Sequence, residues 1–168
     1  PIYNNARRLL NLVNQLLDFR KLEMKGERLR LKMNDMVFFL EEAVRQFTDL
    51  AASREIELSF EPKVERLFMN YDSDKMYKML NNLLSNAFKF TPEGGSVDIR
   101  LRTGKDSTLP KPLQQYAEIT VTDSGIGIAP KETEHIFERF YQIRNSQNNS
   151  NIGTGIGLHL TRLSLIHI

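Results

Sequence analysis

Apolar residues recur at helical spacing along the first segment of the chain, Pro1–Lys25. One line takes every seventh residue, and a second line runs beside it; the two lines are Ile2, Leu9 and Leu16, and Tyr3, Leu10, Leu17 and Met24. This stripe is wider than a two-stranded coiled coil needs, and it suits a four-helix bundle. We expect a dimerisation helix that ends at Gly26. A core helix of one compact domain would show a similar stripe.

Alternation of apolar and polar residues predicts strands further along the chain, separated by segments of helical periodicity. The predicted strands are Arg28–Met33, Ile56–Phe60, Phe68–Tyr71, Ser96–Arg102, with Val97, Ile99 and Leu101 facing inward, and Tyr116–Thr122. A hairpin loop is predicted at Thr103–Gln115, where Gly, Pro and polar residues collect.

Three helices are predicted between and after these strands. The first starts from a cap at Asn34 or Asp35 and runs to about Ser53, with Phe39, Ala43, Phe47 and Leu50 on one face. The others run from a cap at Asp72 or Ser73 to about Phe90, and from about Thr133 to Phe140. This order of elements predicts an α+β fold: a two-layer α/β sandwich with helices on one face of a mixed sheet, preceded by one long helix.

Positive and negative charges almost balance, with 23 Lys and Arg against 21 Asp and Glu and a net charge of +2. A general nucleic-acid binder would show a basic patch or stripe, so we expect no nucleic-acid partner. The chain has no cysteine, which excludes disulfides and cysteine-ligated zinc. No apolar run approaches the roughly 18 residues of a membrane-spanning helix.

Three polar residues, Asn82, Asn86 and Lys89, follow one another at spacings of four and three in a predicted helix. These spacings place them on one helical face. The carboxamide oxygen of Asn86 is a hard, neutral ligand suited to Mg²⁺, and Lys89 can neutralise a phosphate. The alternative is a solvated face opposite a core face, which would consist of Met76, Met79, Leu80, Leu83 and Phe88.

A second candidate segment follows the last predicted strand and reads Asp123-Ser-Gly125-Ile-Gly127-Ile128. The Asp123 carboxylate can accept a hydrogen bond from an exocyclic amine such as that of adenine. Gly125 and Gly127 allow the backbone to approach a flat ring closely. A plain turn that uses Asp and Gly for their backbone preferences would have the same composition.

The third candidate segment is glycine-rich and precedes an apolar stretch; it consists of Gly153, Thr154, Gly155, Ile156, Gly157 and Leu158. Glycines before a helix expose backbone N–H groups at its positive end, which suits a polyphosphate. The segment lacks the Gly-Lys-Ser/Thr ending of a P-loop, and no strand leads directly into it, so alone it is weakly specific. In this order, the three segments together predict a site for ATP.

These segments resemble the catalytic, ATP-binding domain of sensor histidine kinases, in the GHKL ATPase superfamily. Asn81–Pro92 resembles the N box, Asp123–Ile128 the first glycine box, His135–Tyr141 the F box and Gly153–Leu158 the second glycine box. The resemblance covers about Arg28–Arg162 and implies a Bergerat-type ATP-binding fold, truncated at its C-terminus. The leading helix resembles the second helix of the dimerisation and phosphoacceptor bundle.

The resemblance implies a role for each matching position. Asn86 would bind Mg²⁺, with Asn82 one turn away, while Lys89 would contact phosphate and Phe90 would border the nucleotide. Asp123 would bind the adenine amine; Gly125, Gly127 and Ile128 would line the base pocket. Gly153, Thr154, Gly155, Ile156, Gly157 and Leu158 would cover the phosphates. Tyr141–Ile152 would form a lid anchored by packing of Phe137 and Phe140, and Arg139 and Arg144 are weaker phosphate candidates.

One position separates the activities found in this superfamily. Hydrolytic members place a Glu one turn before the metal-binding Asn to activate water, and Asn82 occupies that position here. The resemblance therefore implies a protein-histidine kinase that uses Mg-ATP, with relay to a response-regulator aspartate. Two alternatives stay open: an interaction module, of the anti-sigma type or with vestigial nucleotide binding, and a hydrolytic ATPase.

The domain organisation follows from the same resemblance. We expect residues 1–26 to belong to the dimerisation bundle, residues 27–162 to the ATP-binding domain and residues 163–168 to a non-native tail, which matches the translation of a transposon-end adapter. No phosphoacceptor box is found, and His135, His159 and His167 are not expected to replace its histidine. The implied partners are a second copy, through the N-terminal helix, and a receiver domain. The implied location is cytoplasmic, with a parent anchored in the inner membrane through regions upstream.

Overall fold

The computed structural model describes residue 13 and residues 29–108, 115–138, 140–143, 155–159 and 161 of the 168-residue chain. The chain divides into a central unit, Leu31–Gly127, and a terminal unit, Pro1–Arg30 with Ile128–Ile168. The predicted N-terminal helix lies outside the described residues apart from Val13, which is helical, and the predicted tail lies wholly outside them. Within the part of the chain that the structure describes, no helix has the length and apolarity needed to cross a bilayer.

The central unit alternates short strands with helices. It begins with β1 (Lys32–Asp35), α1 (Met36–Arg45) and α2 (Thr48–Ser53). It continues with β2 (Glu57–Pro62), β3 (Phe68–Tyr71), the long helix α3 (Ser73–Phe90), β4 (Ser96–Lys105) and β5 (Gln115–Asp123). The short helix α4 (Pro130–Thr133) belongs to the terminal unit.

The strands form two sheets. β1 and β3 pair antiparallel, from Lys32 opposite Tyr71 to Asp35 opposite Phe68. The larger sheet has the order β2-β4-β5 and is mixed, because β2 and β4 run parallel whereas β4 and β5 run antiparallel. Together with the helices packed against it, this mixed sheet confirms the predicted fold class.

The core lies between the larger sheet and the helices. Val97, Ile99 and Leu101 on β4 are fully buried, as their alternation predicts. The buried face of α3 consists of Met79, Leu80, Leu84, Ala87 and Phe88. Leu84 and Ala87 were not predicted there, and the predicted Met76 and Leu83 are only partly buried. The core face of α3 is therefore rotated slightly from the one that the sequence indicates.

Two aspartates start the main helices, as the capping preferences predict. The Asp35 carboxylate accepts hydrogen bonds from the backbone N–H of Val37 and of Leu67, each at 3.1 Å. The Asp72 carboxylate accepts one from the backbone N–H of Lys75 at 3.2 Å. At its other end α3 stops at Phe90, where Thr91 precedes Pro92 and takes an extended conformation.

The predicted boundaries are wrong in several places. β1 lies at Lys32–Asp35 rather than Arg28–Met33, and the single helix predicted as far as Ser53 breaks at Gln46–Phe47. The break brings the Phe47 ring onto the Phe88 ring, with centroids 5.2 Å apart, and leaves Leu50 exposed. β4 extends three residues into the predicted loop, to Lys105. The short helix predicted at Thr133–Phe140 is replaced by α4, at Pro130–Thr133, and the described residues among 134–140 form turns or a bend.

Candidate nucleotide-binding site

Helix α3 carries the three polar residues that the sequence singled out. Asn82, Asn86 and Lys89 are partly buried, and the helix is continuous through all three. The Lys89 ammonium lies 4.6 Å from the centre of the Phe90 ring, and Phe90 is 43% exposed. The carboxamides and the ammonium thus occupy successive turns of one helix, and the ammonium lies next to the ring of an exposed phenylalanine.

The carboxyl end of α3 is held by groups from two parts of the chain. Thr91 donates its backbone N–H and its hydroxyl to the carbonyl of Ala87, at 2.9 and 2.7 Å. The guanidinium of Arg54 donates one N–H to the carbonyl of Phe88 and another to the carbonyl of Thr91, the latter at 2.8 Å. Sequence reasoning missed Arg54 because it lies far from α3 along the chain, where no local pattern links the two.

The turn that follows β5 is closed by its own aspartate. One carboxylate oxygen of Asp123 accepts a hydrogen bond from the backbone N–H of Gly125 at 2.9 Å. Ser124 joins the turn to the start of β4, since its N–H donates to the Ser96 carbonyl at 3.0 Å and its hydroxyl accepts from the Ser96 N–H at 2.8 Å. Asp123 is exposed.

The two glycines of this turn are needed for different reasons. A Cβ on Gly125 would lie 2.8 Å from the carbonyl oxygen of Phe90 and 2.5 Å from the Asp123 carboxylate. Gly127 has open space around it but a φ of +69°, which L residues rarely adopt. The close approach at Gly125 means that the turn after β5 packs on the carboxyl end of α3. Within the central unit, the structure thereby brings the predicted N box together with residues 123–127 of the predicted first glycine box.

The terminal unit contains a separate set of contacts among the remaining candidates. The backbone N–H of Phe140 donates to the carbonyl of Gly155 at 2.8 Å. Phe140 and Gly155 both have positive φ, +62° and +68°, and a Cβ on Gly155 would meet the backbone of Phe140 at 2.7 Å. Only glycine fits at position 155 in this arrangement.

Two side-chain hydrogen bonds link residues of α4 and of the segment that follows it. The Tyr141 hydroxyl donates to the Glu132 carboxylate, and this hydrogen bond, aided by burial, raises the pKa of Tyr141. The His135 Nδ1 and the Glu138 carboxylate lie 2.7 Å apart. This hydrogen bond and the charge of Glu138 raise the pKa of His135, which favours its protonated form.

For the other candidate residues of the terminal unit, the structure gives mainly their burial. Ile156 is buried, Gly157 and Leu158 are partly buried, and Ile128 is 46% exposed. Phe140 is 55% exposed and its backbone contacts Gly155, while most of the predicted lid lies outside the described residues, so its anchoring by Phe137 and Phe140 stays a prediction. Further predicted residues lie outside the described part of the chain, namely Arg139, Arg144, Gly153 and Thr154.

The donors in the central unit fit a magnesium nucleotide. Neutral carboxamide oxygens are suited to Mg²⁺ that keeps part of its water shell and takes phosphate oxygens as further ligands. Asn86 offers such an oxygen, and Lys89 on the next turn offers a cation for phosphate. The close approach of Gly125 to the backbone carbonyl of Phe90 brings the segment that carries the Asp123 carboxylate to the segment that carries the exposed Phe90, and a carboxylate with an aromatic residue suits a purine with an exocyclic amine.

Comparison with known proteins also indicates a nucleotide-binding domain. The family described as histidine kinase-, DNA gyrase B- and HSP90-like ATPase matches residues 71–167, more than half of the chain. The chain belongs to this ATPase family. The predicted resemblance to the catalytic domain of sensor histidine kinases is thereby confirmed, because relatives and solved structures of that class match as well.

Two curated relatives illustrate the similarity. The chain is 36% identical over 164 residues to histidine kinase P4 of Formosa agariphila, covering 96% of this chain and 11% of that protein. It is 36% identical over 165 residues to sensor histidine kinase RppB of Synechocystis, covering 96% of this chain and 34% of that protein. The chain thus spans at most about a third of these two relatives, as the coverage of 34% shows.

Solved structures share the fold. Full-length ShkA in complex with AMPPNP superposes with a TM-score of 0.80 at 25% identity, covering 98% of this chain and 32% of that one. Histidine kinase ThkA in complex with the response regulator TrrA superposes with a TM-score of 0.65 at 24% identity, covering 84% of this chain and 38% of that one.

Proposed function

We propose that this chain is the ATP-binding catalytic region of a sensor histidine kinase, which binds Mg-ATP and transfers its γ-phosphoryl group to a histidine on a separate helix. The observation that carries the proposal is the packing of the Asp123–Gly127 turn on the carboxyl end of α3. One element offers a carboxylate for the base, and the other offers a carboxamide and an ammonium for the phosphates. Family membership and the AMPPNP complex of ShkA support nucleotide binding.

Each residue of the central unit has a distinct task in this proposal. Asn86 holds Mg²⁺, which supplies charge neutralisation at the transferred phosphate when bound, and Lys89 adds a second positive charge. One carboxylate oxygen of Asp123 accepts a hydrogen bond from the exocyclic amine of adenine, while the other accepts one from the backbone N–H of Gly125. Phe90 borders the nucleotide. Catalysis then consists mainly of positioning and of electrostatic stabilisation.

Asn82 favours transfer over hydrolysis. A carboxamide is not basic enough to take a proton from water, so this residue cannot act as the general base that a glutamate provides. The position is a half-buried one on α3, one turn before Asn86. A histidine imidazole needs no such base, because its neutral ring nitrogen is already a nucleophile at neutral pH.

The remaining roles rest on the resemblance and on the relatives. Gly153–Leu158 cover the phosphates, Ile128 lines the base pocket, and Tyr141 and Arg139 contribute from the lid region. The phosphoryl group passes to a receiver domain, the kind of partner that ThkA binds in its complex with a response regulator. Residues 1–26 dimerise, and the parent protein is anchored in the inner membrane.

Radiolabelled ATP tests the proposal directly. The chain is mixed with Mg²⁺, γ-labelled ATP and a phosphoacceptor helical hairpin taken from a related sensor kinase. We expect label on the acceptor histidine, stable to alkali and labile to acid, with little free phosphate. Steady release of phosphate without labelled acceptor would support a hydrolytic ATPase. If neither labelled acceptor nor free phosphate forms and the chain still binds the acceptor hairpin, the result would support an interaction module.

Two asparagines on α3 provide a matched pair of variants for the same assay. Asn86→Ala removes the proposed magnesium ligand, and Asn81→Ala removes an exposed carboxamide of the same helix. We expect Asn86→Ala to weaken Mg-ATP binding by at least about tenfold, since even supporting groups of metal sites contribute that much. Asn81→Ala should bind as the unmodified chain does. Equal affinity in all three proteins would rule out the role given to Asn86.

A further inference from the structure

Arg54 lies at the end of α2, where two backbone hydrogen bonds fix the conformation of the chain. It caps the carboxyl end of α2, where the N–H of Glu55 bonds to the carbonyl of Ala52 and the N–H of Ile56 bonds to that of Ala51. This pattern is a Schellman motif, and it requires the left-handed conformation that Glu55 adopts, with a φ of +52°. The motif fixes the direction in which the Arg54 side chain leaves the backbone.

The Arg54 guanidinium spans the last turn of α3. One of its terminal nitrogens donates to the Phe88 carbonyl and the other donates to the Thr91 carbonyl at 2.8 Å. Carbonyls in the last turn of a helix lack intrahelical partners and carry the negative end of the helix dipole. A planar fork with a permanent charge meets both needs at once, whereas a lysine ammonium provides only a point charge.

The two carbonyls that Arg54 holds flank Lys89 and Phe90 in sequence. The carbonyl oxygen of Phe90, between these two carbonyls, contacts the turn after β5: a Cβ added to Gly125 would lie 2.8 Å from it. The backbone of Arg54 reaches the same region, because its carbonyl accepts from the N–H of Gly94 at 3.3 Å in the turn that leads to β4. Arg54 therefore contacts the end of α3 at the place where the turn that carries Asp123 packs on it.

We infer that Arg54 is a positioning residue for ATP, an inference that rests on the proposed function. It fixes the end of α3, with Lys89 and Phe90, against the Asp123–Gly127 turn, so that one nucleotide can reach both. The base of ATP must reach Asp123 and Phe90 while its phosphates reach Asn86 and Lys89 on α3, whereas adenosine has no phosphate and makes only the first set of contacts. Loss of the guanidinium should therefore weaken ATP much more than adenosine.

The test compares two ligands on three forms of the full 168-residue chain. Dissociation constants for Mg-ATP and for adenosine are measured by NMR titration on the unmodified chain, on Arg54→Lys and on Arg45→Lys. For Arg54→Lys we expect Mg-ATP affinity to fall about tenfold, as for groups that orient metal ligands, and adenosine affinity to fall much less. Arg45→Lys is the matched control, because Arg45 is exposed at the end of α1 and pairs only with Glu42 among the described residues; it should bind both ligands normally.

A second variant separates positioning from general support of the fold. Arg54→Ala should lose Mg-ATP affinity to a similar degree and regain part of it when guanidinium ion is added at millimolar concentration. Equal Mg-ATP affinity in Arg54→Lys and the unmodified chain overturns the inference. Parallel loss of both ligands, without rescue by guanidinium, also overturns it and assigns Arg54 a purely structural role. Failure of the unmodified chain to bind Mg-ATP would instead overturn the proposed function itself, and this inference with it.

Discussion

Gly125 and Gly127 illustrate how a short motif combines two physical requirements. At Gly125 the limit is space, because the backbone of Phe90 and the carboxylate of Asp123 occupy the volume of a side chain. At Gly127 the limit is conformation, because φ is +69° although the surroundings are open. The sequence predicts that both positions matter, but it cannot tell which limit applies at each.

Substitution by alanine and by asparagine should separate these two limits. Gly125→Ala should lower the free energy of unfolding by about 1 to 3 kcal/mol, the range for overpacking. Gly127→Ala should cost about 1 kcal/mol for the left-handed conformation, and Gly127→Asn should cost less because asparagine tolerates that conformation. Urea denaturation measures all of them. If Gly125→Asn proved milder than Gly125→Ala, the steric explanation would be wrong.

His135 should titrate at an unusually high pH because of Glu138. Its raised pKa means that the pair with Glu138 stabilises the folded segment fully below the ordinary histidine pKa, and that this stabilisation is lost as pH rises through the raised value. NMR titration of the His135 ring should show a midpoint above the usual one, returning toward it in Glu138→Gln. Glu134→Gln is the control, since Glu134 acts only through its charge and less strongly. A midpoint unaffected by Glu138→Gln would contradict the hydrogen bond.

At the scale of elements, the sequence predicts best where local chemistry decides. Asp35 and Asp72 start helices as capping preferences predict, and α3 ends before Thr91-Pro92. Prediction fails at Gln46–Phe47, where no glycine or proline marks a break. There the stacking of Phe47 on Phe88 accompanies the division of the helix, and such a long-range contact leaves no local pattern. At α4 a usable signal was overlooked, because Pro130 stands in the first turn, where proline is favoured.

One residue just beyond the end of α2 has a backbone conformation that is unfavourable for its residue type. Glu55 occupies the left-handed position of the Schellman motif, where glycine is the usual residue. Glu55→Gly should therefore raise the free energy of unfolding by about 0.5 to 1 kcal/mol, the relief of strain less the extra freedom of glycine when unfolded. Thermal denaturation followed by circular dichroism measures the change. Glu57→Gly, on the exposed face of β2, is the control and should destabilise.

At the scale of the whole molecule, the candidate site could be predicted in its parts but not in its assembly. Asn86, Lys89 and Asp123 are recognisable because their chemistry and spacing are local. Arg54 is not, because its contacts join residues 34 and 37 positions apart. The pairing of β2 with β4 is likewise invisible to a reading that proceeds along the chain.

The core of the central unit should respond strongly to loss of volume. Leu84 is fully buried on α3, among the residues that the sequence did not assign to the core. Leu84→Ala should lower the free energy of unfolding by about 3 kcal/mol, from lost burial and from the cavity that remains. Leu31→Ala, at a leucine that is 54% exposed, should change it by less than about 0.5 kcal/mol. Comparable effects in urea denaturation would mean that Leu84 does not belong to the core.

The parallel pairing of β2 and β4 has a kinetic consequence. Parallel strands cannot close through a tight turn, and here β3 and all of α3 lie between the two partners in sequence. Contacts so distant along the chain are slow to form, since a long loop must lose its freedom before any pairing compensates for it. The turn with Asp123 follows β5, which itself pairs on β4. A polypeptide leaving the ribosome should therefore form the turn with Asp123 late, once β4 has paired with β2 and β5.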